Sequence, residues 1–145
     1  MKIQNEVKIT LLSKSANESF ARITAAAFAS QLDPTVEEIS DIKTAVSEAV
    51  TNCIVHAYRN TIGKIDITMR LLDNNSIYIK IRDRGCGIND VKQAMQPLFT
   101  TDAENERAGL GFAVMESFMD SLKVKSVVDK GTTVIMTKRI SQKEN

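Results

Sequence analysis

The chain has 145 residues, 43% of them hydrophobic and 26% charged, enough for one full core and too few for two ordinary domains. Its 19 basic and 18 acidic residues leave a formal net charge of +1, which gives no support for non-specific nucleic-acid binding, a mode that depends on neutralising many phosphates. No apolar run approaches the roughly 20 residues that cross a bilayer, and the start, Met1-Lys2-Ile3-Gln4-Asn5-Glu6, lacks the apolar core of an export signal, so a cytoplasmic protein without a membrane partner is expected.

Residues 6–12 predict a first strand with Val7, Ile9 and Leu11 on one face. Ser15 with Glu18 three positions on has the pattern of a capping box, in which each side chain satisfies a free backbone N–H at a helix start. That helix runs through Phe20, Ile23, Ala27 and Phe28 to about Gln31. Asp33 as N-cap and Pro34 at the first position open a second helix. Val36, Ile39, Ile42, Val46, Ala49, Val50, Cys53 and Ala57 form its apolar stripe at spacings of three and four, and it ends near Tyr58. Two strands follow. Ile65, Ile67, Met69 and Leu71 alternate with Lys64, Asp66, Thr68 and Arg70, and Ile77, Ile79 and Ile81 alternate with Tyr78, Lys80 and Arg82. Asp73-Asn74-Asn75 turns between them, which makes a hairpin with one buried face. A helix from about Asp90 to Gln96 ends at Pro97, and residues 97–108 lack a sustained apolar period and predict a long loop. From Gly109 a helix carries Phe112, Met115, Phe118 and Met119. Two last strands, about 121–127 and 132–139, are joined by Asp129-Lys130-Gly131.

One-faced hairpins want helices on a single side, which argues for an α+β two-layer sandwich rather than a doubly wound parallel sheet. Residues 1–139 are expected as one domain and 140–145 as a polar tail. Cys53 and Cys86 are far apart and in no CxxC pattern, and His56 is the one histidine, so a zinc site lacks ligands. Both cysteines are expected as reduced thiols filling small spaces.

Four constellations carry chemistry. Glu48 and Asn52 stand four apart on one helix face, away from the apolar stripe. The pair suits a carboxylate that takes a proton beside an amide oxygen that ligates Mg²⁺; taken alone it reads more readily as a solvated polar face. Asp83-Arg84-Gly85-Cys86-Gly87 follows a strand, and its two glycines permit a tight turn and close backbone approach. Asp83 is placed to accept a hydrogen bond from an exocyclic amine, although a plain strand-to-helix turn has the same sequence. Gly109-Leu110-Gly111 opens a helix, where free N–H groups and the dipole favour phosphate. Before it lie Thr100, Thr101 and a stretch to Arg107 that suits a lid, with Arg107 either a phosphate contact or an exposed linker residue. Thr132, after Gly131, opens the last strand, where its hydroxyl can join a network with an aspartate.

In this order the four motifs resemble those of the GHKL ATPase and kinase family over about residues 35–139. The resemblance implies the Bergerat ATP-binding fold, with a mixed, mostly antiparallel sheet and helices on one face. It also implies Mg·ATP or ADP as ligand, with Asn52 on the metal, Asp83 and Thr132 at adenine, and Gly85, Gly87, Thr100, Thr101, Gly109 and Gly111 at the lid and phosphates. Further stretches, among them Glu18-Ser19-Phe20-Ala21-Arg22 and Gln96-Pro97-Leu98-Phe99-Thr100-Thr101, resemble the anti-sigma serine kinases of spore-forming bacteria. That resemblance implies a homodimer that holds the sporulation sigma factor F and phosphorylates a serine of an anti-anti-sigma partner. Glu48 is then the base, Arg107 stabilises the moving phosphoryl group, and Arg22 matches a position that touches both protein partners. A general-stress anti-sigma kinase and a nucleotide-gated binding module without useful turnover are the other readings. Two departures stand out: Ala57 where many relatives carry glycine, and Cys86 at the variable position of the glycine turn.

Overall fold

Period-two alternation puts Ile65, Ile67, Met69 and Leu71 of β2 (Lys64–Leu72) and Ile77, Ile79 and Ile81 of β3 (Ser76–Asp83) on one buried side of a sheet. The computed structural model describes residues 2–95 and 111–141. Within them β1 (Ile3–Leu12), β4 (Ser121–Val127) and β5 (Gly131–Arg139) complete a five-stranded sheet in the order β1-β2-β3-β5-β4, with every pairing antiparallel. Helices α1 (Ala16–Ala29), α2 (Val36–Asn52) and α4 (Phe112–Phe118) share one core with the inner strand residues, and a short α3 (Val91–Ala94) follows β3. The architecture is the expected α+β sandwich.

Three helix details differ from expectation. Of Phe20, Ile23, Ala27 and Phe28 in α1, only Phe28 is buried; Ala21, Ala25 and Ala29, four apart, face the core instead. Small residues there let α1 pack on α2, and a stripe of alanines is a weak apolar signal. Val36 at the start of α2 is also exposed, although Ile42, Val46, Ala49, Val50 and Cys53 are buried as the stripe predicts. The caps move too. Ser15 makes no side-chain cap, since its backbone is already helical at φ −55°, ψ −33°, and the Glu18 carboxylate is taken up by the Ser47 hydroxyl and by Arg22. Asp33 is not the N-cap of α2: it sits in the left-handed region, φ 54°, closing the short 3₁₀ turn Ser30–Leu32. Thr35 and Glu38 form the capping box, with Glu38 N–H donating to Thr35 Oγ1 at 3.1 Å and Thr35 N–H donating to Glu38 Oε1 at 2.8 Å.

The far end of α2 widens into a π turn, Cys53–Ala57, and Tyr58 N–H donates to the Cys53 carbonyl at 3.1 Å. Ile140, expected in the tail, is 1% exposed and exchanges two 2.8 Å hydrogen bonds with Asn75. Ser141 N–H donates to Glu38 at 2.9 Å, so residues 140 and 141 belong to the fold. The expected helix end at 95–97, the loop 97–108 and the last residues of the tail lie wholly or mostly outside the described residues.

The two candidate caps make opposite predictions. Thr35→Ala lowers unfolding free energy by about 1 kcal/mol in chemical denaturation, whereas Ser15→Ala shifts it by less than about 0.5 kcal/mol. Equal losses at the two positions contradict this account of the helix starts.

Candidate functional site

The β3–β5 register, with Ile81 opposite Val134 and Arg82 opposite Thr133, brings the end of β3 to the beginning of β5. Asp83 lies there, 5% exposed, with a carboxylate held on both oxygens. Its Oδ1 accepts Gly85 N–H at 2.9 Å and Thr132 N–H at 3.2 Å, and its Oδ2 accepts the Cys53 S–H at 3.5 Å. Burial pushes the Asp83 carboxyl above its ordinary value of 3.8, while those three donors work against the rise. Thr132 therefore reaches the aspartate through its backbone; its hydroxyl pairs instead with Ser126 Oγ at 2.8 Å.

The loop after Asp83 is fastened on several sides. Tyr58 accepts Arg84 N–H at 2.6 Å through its phenol oxygen and donates to the Lys64 carbonyl at 2.7 Å. Cys86 N–H donates to the Ala57 carbonyl at 3.2 Å, and the Cys86 carbonyl accepts Asp129 N–H at 2.8 Å. Ser126 Oγ takes Ile88 N–H at 2.8 Å. Gly87 has φ +76°, and a Cβ on it would collide with the Val127 carbonyl. The glycine expected to admit a ligand thus first admits the neighbouring turn. Cys86, expected to fill a space, is exposed, and Cys53 is buried; both are free thiols.

Between α2 and the sheet opens a small cavity. Ala49, Ile81, Ile88, Phe112 and Val134 give it apolar walls, and Asn52, His56, Asp83 and Thr132 supply its polar points. Glu48, one turn before Asn52, is half-buried, and burial pushes its carboxyl above the ordinary 4.5. Gly111 caps α4 with φ +62°, so close to Glu48 that a Cβ there would strike the carboxylate.

Of the residues singled out in the sequence, Asn52, Asp83, Gly87 and Thr132 line one cavity, Gly85 bonds Asp83, and Gly111 meets Glu48. Arg22, on α1, borders a separate opening that Glu48 also lines. Thr100, Thr101, Arg107 and Gly109 lie outside the described residues. Three further residues shape the site without having been singled out for it. Cys53 carried a signal only as part of an apolar stripe, while Tyr58 and Ser126 act on partners 26 and 38 residues away.

Residues 13–138 match the family described as the histidine kinase-like ATPase domain. The chain is 62% identical to the anti-sigma F factor of Caldanaerobacter subterraneus subsp. tengcongensis, across 98% of this chain and 99% of that one. It is 60% identical to the anti-sigma F factor of Thermoanaerobacter sp., across 97% of both. Among solved structures, the RsbU and RsbW domains of Rv1364c from Mycobacterium tuberculosis superpose with a TM-score of 0.68 at 19% identity, covering 94% of this chain and 32% of that one. The catalytic domain of the histidine kinase ThkA gives 0.58 at 14% identity, covering 94% and 97%. At those identities the likeness is one of fold.

A carboxylate whose pKa rises on folding gives stability that is fully present below its unfolded value, near 3.8, and is lost as pH rises through the folded value. Asp83→Asn does not titrate and keeps an oxygen for the Gly85 and Thr132 donors. Relative to that variant, the wild type loses stability in urea denaturation as pH rises from the ordinary carboxyl value of 3.8. A difference that stays constant with pH contradicts the desolvated aspartate.

Proposed function

Because the chain belongs to the histidine kinase-like ATPase family, and within it to the anti-sigma F factors, we propose that it is a nucleotide-controlled anti-sigma factor and a protein serine kinase. It holds the sporulation sigma factor F inactive and phosphorylates a serine of an anti-anti-sigma partner, acting as a homodimer in the cytoplasm. The observation that carries this reading is a buried carboxylate, Asp83, at an apolar cavity, with a desolvated carboxylate, Glu48, one helical turn from Asn52.

These residues fit a purine nucleotide and its metal. Among the described residues Asp83 Oδ2 accepts from the Cys53 thiol and keeps acceptor capacity for an exocyclic amine, while the apolar walls suit the faces of a base. Mg²⁺ keeps much of its water and needs few protein ligands beside phosphate, which the Asn52 amide oxygen can provide. When bound, Mg·ATP supplies the phosphoryl group and neutralises charge on the departing ADP. Glu48 accepts the proton of the incoming serine hydroxyl as the Oγ–P bond forms. Its raised pKa, which stems from burial, makes it a stronger base than an exposed carboxylate. Gly111 lets α4 begin against Glu48, and Arg107 with the neighbouring glycine amides steadies charge on the transferred group.

Glu48→Gln retains ATP binding and loses phosphoserine formation by about a hundredfold or more, the scale of a general base. The base must be ionised, so wild-type transfer falls off on acidification at a pH above the ordinary carboxylate value of 4.5. Unchanged transfer by the variant removes Glu48 from the role, and partner binding without any phosphoserine from the wild type favours a nucleotide-gated module instead. Asn52→Ala weakens Mg²⁺-dependent ATP binding in calorimetry, and metal-dependent affinity equal to wild type contradicts its place at the metal.

A further inference from the structure

The cavity is lined by a polar group that the phosphoryl-transfer chemistry leaves unused, the thiol of Cys53. Cys53 stands where α2 widens into the π turn, and its carbonyl accepts Tyr58 N–H at 3.1 Å. The residue is buried, with Sγ 3.5 Å from Asp83 Oδ2. Two other links join the π turn and Tyr58 to the loop after β3: Arg84 N–H donates to the Tyr58 phenol oxygen at 2.6 Å, and Cys86 N–H to the Ala57 carbonyl at 3.2 Å. The end of α2 therefore stays fastened to that loop without the thiol, and what the thiol adds is chemical rather than mechanical. It acts as a donor. Burial first, and then the Asp83 charge, hold it protonated, because a thiolate would set a second anion beside the carboxylate.

The donors around Asp83 decide where a proton can sit on it. Oδ1 receives Gly85 N–H and Thr132 N–H, which fill its two lone pairs, so a proton entering the carboxyl must go to Oδ2. There the Cys53 S–H takes one of the two lone pairs and favours the bare oxygen over a hydroxyl, working with the backbone donors against burial. The other lone pair is left for a ligand in the cavity that Asp83 lines. The two forms of the carboxyl read opposite groups. An ionised Oδ2 accepts from an amine and repels a carbonyl oxygen, whereas a protonated Oδ2 donates to a carbonyl oxygen. We propose that Cys53 is a positioning residue that sets base specificity: by donating to Oδ2 it keeps Asp83 an acceptor, so the cavity takes 6-aminopurine nucleotides and turns away 6-oxopurine ones. Without that donor Oδ2 gains a free position, burial is opposed by one bond fewer, and part of the population presents a hydroxyl to a 6-oxo group. The inference rests on the nucleotide reading of the cavity and adds to it which neighbour sets the choice of base.

The test uses the full chain, wild type and the variants Cys53→Ala, Cys53→Val and Cys53→Ser. ADP and inosine diphosphate, its 6-oxo counterpart, are the probes, each with Mg²⁺ in calorimetry. Cys53→Ala and Cys53→Val lack a donor and differ in size, the second filling the space of the thiol, while Cys53→Ser keeps a donor. Urea denaturation checks that each variant unfolds cooperatively, and Cys53→Val carries the test if Cys53→Ala does not fold. The wild type prefers ADP. Expected for Cys53→Ala and Cys53→Val is an affinity ratio, ADP over inosine diphosphate, about three- to tenfold below wild type, the scale of one hydrogen bond. Cys53→Ser gives a ratio nearer wild type than either. A merely space-filling role lowers both affinities together and leaves the ratio alone. Wild-type ratios in Cys53→Ala and Cys53→Val, or a Cys53→Ser ratio no higher than theirs, overturn the role of Cys53 and leave the nucleotide site standing, as does a wild type without preference. A wild type that binds neither nucleotide removes the nucleotide site, and the role of Cys53 with it.

Discussion

Taking the Asp83 carboxylate out of water costs free energy, and two backbone N–H groups and one thiol offset only part of it, since burial still raises the carboxyl above its ordinary value. The surrounding structure makes that position unavoidable. β3 ends against the start of β5, the π turn of α2 delivers Cys53 from above, and Tyr58 grips the backbone just beyond the aspartate. The unspent acceptor capacity of Oδ2 is what gives the cavity a chemical preference. A fully satisfied carboxylate would make a firmer fold and a blind pocket.

Helix α2 organises the rest by dividing its circumference. One side gives Ile42, Ala45, Val46, Ala49 and Val50 to the core and fixes the helix against the sheet. The polar side runs from Ser40 to Asn52, bordering first the α1–α2 opening and then the cavity. A packed helix holds Glu48 and Asn52 at a set separation, which a loop would not do as tightly. The π turn that follows keeps Ala57 near enough for its carbonyl to receive Cys86 N–H, so the helix also positions the glycine turn.

What the sequence made legible follows from how local each signal is. Alternating isoleucines announced the β2–β3 hairpin because burial on one face is written into period two, and the stripe of α2 was equally plain. The order of the motifs led to the fold and to the residues around the cavity. Sequence pattern and structure part where two partners compete for one group. Ser15 and Glu18 have the form of a capping box, but Ser47, 29 positions later, takes the glutamate, and no local pattern reveals that contest. The real box, Thr35 with Glu38, has the same spacing and stands beside the more conspicuous Asp33-Pro34. Phe20 and Ile23 invited burial by their bulk, yet the alanines between them make the contact. Tyr58 and Ser126 act through tertiary neighbours, so nothing in their own surroundings marks them, and the stripe of α2 marks Cys53 for burial but not for Asp83.

The strand order carries a consequence for biosynthesis. β5, the latest of the described strands to leave the ribosome, does not sit at a sheet edge but slots between β3 and β4. While it is still being translated, β3 has an open flank and Asp83 lacks the Thr132 amide. A nascent chain therefore cannot be rescued early by its own ligand: the cavity exists only once the newest segment has threaded into the middle of the older ones.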